Sequence, residues 1–177
     1  MHFKVLKNDG TPCNGGTGKW FLPTRKKDGT WKPGKWMPKI EGELRLCERG
    51  YHLCREKDLL NWLNEAIYEA EYRGEIIDGD DKIVCRDVRL LRRMNWDDKV
   101  ARLFVCWCAE QVLPIFEKKY PQDNRPRKAI ETARLFAEGK ASKEELASAC
   151  DAACASARDA AWAAQTYKLL DMIGEKR

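Results

Sequence analysis

Residues 43–54 read ELRLCERGYHLC, from Glu43 to Cys54, and the chain changes character on either side of them. These twelve residues hold two cysteines, one of the two histidines, a turn glycine and an aromatic. Leu44 and Leu46 alternate with polar neighbours, which predicts a strand over 43–47. Arg49-Gly50 predicts a turn, and 51–54 a second short extended piece. The stretch therefore reads as strand-turn-strand at the junction between a loose front end and a regular body.

Its side chains invite two chemical readings. Cys47, His52 and Cys54 are metal-capable, with Cys13 or Cys85 as a fourth ligand. The paired Cys-x-x-Cys spacing of structural zinc sites is missing, however, so no metal is expected. Cys54 or Cys47 with His52 also has the residue types of a thiol nucleophile and its base, and His52 and Cys54 share a face if they lie on a strand. The expected reading is instead a buried thiol beside a hydrogen-bonded histidine. The sequence carries no phosphate-cradling glycine loop, no nucleotide-binding fingerprint and no serine elbow. A non-enzymatic protein without cofactor is the expectation.

Upstream, residues 2–7 alternate as a first strand with Phe3 and Val5 on one face, ended by Asn8-Asp9-Gly10. Seven of the twelve glycines and four of the seven prolines lie between residues 10 and 42. Gly18-Lys19-Trp20 and Gly34-Lys35-Trp36 bracket Asp28-Gly29, a hairpin signal, so a ribbon pinned by Trp20, Trp31 and Trp36 is expected. Residues 1–45 hold ten Lys and Arg against four Asp and Glu, while the rest of the chain is nearly neutral within a net charge of +5. Tryptophan beside lysine suits stacking on a base with an ammonium on phosphate. Lys19, Trp20, Lys35, Trp36 and Arg45, with Tyr51 and His52, are accordingly the ligand-binding candidates, and nucleic acid is one candidate partner.

Downstream, 56–64 predicts a short helix. Ala66, Tyr68, Ala70 and Tyr72 repeat at period two, which predicts a strand broken at Gly74. The turn Asp78-Gly79-Asp80-Asp81 leads into a further strand over 83–91. Glu69 and Glu71 fall on one face, expected to be solvent. From Asn95 the period changes to that of helices. Val100, Leu103, Phe104, Trp107, Cys108, Val112 and Ile115 share one helical face, with Pro114 as a kink or end point. A second helix covers 127–138 and stops at Gly139. Ser142 to Glu145 is a capping box opening a long alanine-rich helix to about Ile173. Cys106, Cys108, Cys150 and Cys154 lie in these helices as small buried hydrophobes, and all eight cysteines are expected to be free thiols. No apolar run approaches the roughly 20 residues of a membrane span, and the first ten residues lack the regions of a signal peptide. A cytoplasmic location is expected, the host cytoplasm for a phage-encoded chain.

Cys47-Glu48-Arg49-Gly50-Tyr51-His52-Leu53-Cys54 resembles the Cys-x-x-Gly-Phe-His-x-Cys signature of uncharacterised small proteins common in phages and mobile elements, over roughly residues 33–94, with Tyr51 in place of the phenylalanine. Residues 96–164 are similar to the alanine-rich segment called "putative immunity protein", through Arg102-Leu103-Phe104, Cys106-Trp107-Cys108, Ala137-Glu138-Gly139 and Asp159 to Ala164. A weaker likeness is to ADP-ribosyltransferase-like folds. It implies a cleft between two sheets, NAD as ligand, Tyr51 and His52 at the nicotinamide and Glu75 as the candidate catalytic glutamate.

The expected architecture is α+β: a bent antiparallel sheet module over 1–94, with a layer of three helices over 95–177 packed on it. The expected function is a binding protein of phage or mobile-element origin that sequesters or masks a protein partner in an immunity or counter-defence role. A nucleotide or NAD ligand and nucleic-acid binding through the basic ribbon are the alternatives. The alanine-rich helix offers a homodimer contact.

Overall fold

The computed structural model describes residues 1–172 and divides into two compact units, Met1–Asp97 and Asp98–Arg177. The protein is α+β, with the strands in the first unit and three α-helices in the second.

In the first unit β1 (His2–Leu6), β4 (Tyr51–Arg55), β5 (Ala66–Asp78) and β6 (Ile83–Arg93) close into an antiparallel ring in the order β1-β4-β6-β5. The expected bent sheet is thus bent far enough to meet itself. β1 is the closing strand: it pairs with β5 from His2↔Ala70 to Leu6↔Ala66 and with β4 at Phe3↔Cys54. β2 (Thr24–Arg25) and β3 (Trp31–Lys32) form the ribbon around Asp28-Gly29.

Period two is kept on the ring, as side chains of successive residues point to opposite faces. Leu6, Leu53, Tyr68, Ile83 and Leu90 bury one face together with Trp20. Phe3, Val5, Cys54 and Ile67 bury the other, against a 3-10 helix (Glu56–Trp62) and Met94 and Trp96. The Ala66–Tyr72 alternation is the inward face, as its period predicts. Glu69 and Glu71 form cross-strand ion pairs with Arg92 and Arg89.

Two predicted boundaries shift. β5 does not end at Gly74. The glycine takes a left-handed φ of 81°, and the ladder slips between Arg73 and Ile76 before running on to Asp78. Such a bulge bends a strand without ending it. The strand predicted over 43–47 is absent. The chain makes a tight turn there, with the Arg49 amide donating to the Arg45 carbonyl at 2.9 Å and Cys47 at φ 63°. Leu44 is buried alone, so the two-leucine alternation came from an anchor and a turn.

The segment before it lies along β6 past the end of β4. The amides of Gly34, Met37 and Ile40 donate to the carbonyls of Leu90, Val88 and Arg86. A Cβ on Gly34 would stand 2.0 Å from the Phe21 carbonyl oxygen, so only glycine permits this approach.

The second unit comprises α1 (Asp98–Lys119), α2 (Arg125–Ala137) and α3 (Lys143–Met172). α1 runs through Pro114. Gly139, at φ 74°, ends α2. The capping box forms: the Ser142 amide donates to Glu145 Oε2 at 2.7 Å and the Glu145 amide to Ser142 Oγ at 3.1 Å. The predicted end of α3 at Ile173 lies outside the described residues.

α2 is the middle helix, packed by α1 on one side and α3 on the other. α1 turns Cys106 and Leu113 inward. Of the face predicted to be buried, Val100, Leu103 and Phe104 are half-buried, but Trp107 is 54%, Val112 59% and Ile115 74% exposed. α1 carries apolar residues on both faces, and within its unit α2 covers only one. Cys108 on α1 and Cys150 and Cys154 on α3 are exposed, contrary to expectation, while Cys106 is buried. A polar clasp ties the α1–α2 loop to α3. Asp123 accepts from Arg125 at 2.8 Å and from the buried Ser156 hydroxyl at 2.7 Å, and Arg125 also bridges to Asp159 at 2.9 Å. These partners hold the Asp123 carboxyl well below the usual carboxylate range.

Candidate functional site

The Cys47–Cys54 signature is built from mutually dependent parts. Gly50 takes φ 131°, and a Cβ there would meet Val84 Cγ2 at 2.3 Å, so glycine lets β4 close on β6. The Cys47 amide donates to His52 Nε2 at 2.9 Å, which fixes the left-handed turn and requires a neutral imidazole. Burial, aided by the charges of Lys4 and Lys82, lowers the His52 pKa and favours that form. The Tyr51 hydroxyl donates to the Pro38 carbonyl at 2.7 Å, and its ring meets Trp20 edge-on at 5.4 Å. Cys54 Sγ donates to the Phe3 carbonyl at 3.4 Å and Cys85 Sγ to the Tyr51 carbonyl at 3.3 Å.

Burial raises the Cys54 thiol to about 11 and Cys85 to about 12, so both are protonated at neutral pH and neither is an activated nucleophile. His52 spends its Nε2 on a backbone amide. Among the described residues no group of three or more His, Cys, Asp or Glu converges as a metal set.

Between this signature, β1 and the 12–21 loop lies a cleft of about 760 Å³. Its floor carries Lys4, flanked on β1 by Phe3 and Val5 on the opposite face. Lys4 Nζ donates to the His52 carbonyl at 3.1 Å and sits 4.9 Å over the Trp20 ring. Among the described residues no carboxylate lies within ion-pair distance of it. Burial lowers its pKa from 10.5 to about 8, an effect that the nearby Cys54, Cys13 and Cys85 only partly offset. Around the rim stand Lys19, Arg49 and Lys82 against the acid Glu48. Lys82 lies 4.8 Å over the ring of Trp62, whose indole N–H donates to the Asp81 carbonyl at 3.1 Å.

Of the sequence candidates, Lys19, Trp20, Tyr51 and His52 line this cleft. Arg45, Lys35 and Trp36 do not. Arg45 pairs with Glu43 at 3.0 Å, Lys35 is exposed, and Trp36 lies under the guanidiniums of Arg73 (4.1 Å) and Arg89 (4.8 Å). Glu75 pairs with Arg86 at 3.1 Å. The residues missed are Lys4, Trp62 and Lys82. The sequence did carry a signal for Lys4: period two sets it on the face of buried Leu6, a core-facing position for a charge.

The first unit is a small closed β-barrel whose signature motif shapes one wall of an amine-floored cleft; the second is a three-helix array. A family described as "Domain of unknown function (DUF7666)" matches residues 2–102, more than half of the chain, and the chain belongs to that family. Residues 97–174 match a second family, described as "Imm-5 like putative immunity protein". No curated protein and no solved structure matches the chain. Among the described residues no helix is long and apolar enough to cross a membrane.

Proposed function

We propose that the chain is a non-enzymatic binding protein with an immunity-type role, and that its helical unit seats and masks a protein partner on the outward face of α1. The observation that carries this reading is the uncovered apolar face. Helices apolar all round are buried helices, yet α1 leaves Val105, Trp107, Val112 and Ile115 exposed within its own unit. Exposed aromatic and aliphatic clusters of this kind mark interaction surfaces, and Trp is the residue most enriched at energetic centres of interfaces. The same helix lies in the region matched by the immunity-protein family.

The helix ends in Lys118 and Lys119, which follow Ile115 at helical spacing onto the same face. The occupant that fits is therefore an apolar protein surface bordered by acidic residues, as on an acidic effector domain. Phage or mobile-element origin and counter-defence remain part of the same reading, and they rest on the motif likeness.

The test is co-expression with toxic effector domains encoded beside the gene, scored as growth. Wild-type chain restores growth and Ile115→Glu does not, while circular dichroism of the two is the same. Protection by Ile115→Glu equal to wild type overturns the assignment of the face. Native mass spectrometry showing a homodimer that Ile115→Glu dissociates would give the face to a second copy instead.

A further inference from the structure

We infer that the barrel cleft is a binding site for a small phosphorylated organic anion of about mononucleotide size, with its phosphate against Lys4 and the rim and its apolar part against Trp20, Tyr51 and Trp62. This site is separate from the α1 face and does not depend on the reading of the helical unit.

Four observations converge. The volume of about 760 Å³ is in the range of pockets that enclose small organic ligands. Lys4 is an enclosed ammonium whose polar partners are a carbonyl and a ring face, and among the described residues no carboxylate stands within ion-pair distance to balance its charge. Enclosed charges are ordinarily paired, and an anion in the cleft supplies the missing pair. The rim adds Lys19, Arg49 and Lys82 against Glu48 and the Asp81 that pairs with Lys82 at 3.6 Å, which leaves a net positive mouth that draws anions inward.

The fourth is the glycine-rich loop Asn14-Gly15-Gly16-Thr17-Gly18 at the mouth. Gly15 and Gly18 take φ of 76° and 85°, and a Cβ at either would meet nothing within 4 Å. The loop matches no nucleotide fingerprint in sequence. Among the described residues, the amides of residues 14–19 make no backbone hydrogen bond within the chain. Exposed successive amides in left-handed turns make concave anion sites. The aromatic walls distinguish the ligand from a bare inorganic ion, since a ring system can lie against them while a phosphate reaches the floor. Carboxylate chemistry shares the charge but uses fewer of the amide donors.

The test is isothermal calorimetry of the full chain with AMP, NAD and inorganic phosphate in separate titrations, in Tris and in HEPES at pH 8. The expected result is AMP or NAD binding more tightly than inorganic phosphate. It should come with proton uptake, because an anion beside Lys4 favours its charged form; uptake appears as a heat difference between the two buffers. Lys4→Met should weaken binding at least about tenfold, the scale of a lost charge-assisted hydrogen bond. Silence from all three probes at millimolar concentration overturns the proposal. So does equal affinity for inorganic phosphate and AMP, which removes the aromatic half, and so does proton-neutral binding, which removes Lys4. Because the last two are read on the wild-type chain, they stand even where Lys4→Met fails to fold.

Discussion

Replacing Lys4 with methionine should make the ligand-free protein more stable, and the reason is electrostatic. In the folded chain Lys4 titrates at about 8 in place of 10.5. At about 1.4 kcal/mol per pK unit, holding the charge costs about 3 kcal/mol at neutral pH. Methionine has similar length and removes that cost, but it leaves the His52 carbonyl without its donor, a loss of about 1 kcal/mol where cleft water can reach it. Water in the cleft also screens part of the charge. The net expectation is a gain of about 1–2 kcal/mol, or a rise in Tm of about 5–10 °C for a unit of this size.

The pH dependence separates this account from simple repacking. A folded pKa below the unfolded one means stability that is present above 10.5 and lost as pH falls towards 8. The advantage of Lys4→Met should therefore be full at pH 7 and shrink as pH rises from 8 to 10.5. Cys54 and Cys85 shift upward, so both proteins lose stability above about pH 9, and the difference between them isolates Lys4. Urea denaturation followed by tryptophan fluorescence at pH 7 and pH 10 gives the comparison. A variant less stable than wild type at pH 7, or a gain unchanged at pH 10, would refute the reasoning.

Three further outcomes are expected. Gly50→Ala places a methyl 2.3 Å from Val84 at φ 131° and should cost about 3 kcal/mol in urea denaturation; a loss under about 1 kcal/mol would mean the turn relaxes freely. His52 is held neutral below its ordinary value, so its contribution is present above pH 6.5 and lost as pH falls below that; wild type should destabilise between pH 6.5 and 5 more than His52→Gln, whose amide oxygen can still accept from Cys47. Asp123→Asn strips the clasp of its charge-assisted bonds to Arg125 and should lower helical stability, read as an earlier loss of helical circular dichroism on heating.

Much of the architecture could be read from local patterns because local rules decided it. The β5–β6 hairpin follows from period two at Ala66–Tyr72 and the aspartate-rich turn. The α2 and α3 boundaries follow from Gly139 and the Ser142–Glu145 box. The 43–47 turn was not legible, because its cause is a side chain five residues away: the His52 ring takes the Cys47 amide, and no periodicity encodes that. α1 misled for a different reason. With apolar residues all round, the pattern names a stripe but not which stripe the neighbours cover. The cleft was half legible: Trp20, Tyr51 and His52 announced themselves by type, whereas the signal for Lys4 lay only in its period-two place beside Leu6, which marks a site only because β1 is buried on both faces.

Closure of the ring has a consequence for how this protein meets others. Each of β1, β4, β5 and β6 has a neighbour on both sides, and the 34–40 segment covers β6 where β4 stops short. Among the described residues the ring therefore offers an incoming extended peptide little open ladder to join, which disfavours edge-to-edge stacking through the ring strands. The ring amides should be the slowest in the unit to exchange with deuterated solvent, outlasting those of the two-residue ribbon strands by orders of magnitude. Recognition is left to side chains and loop amides in the cleft, or to side chains on a helix, and not to the backbone of the ring strands.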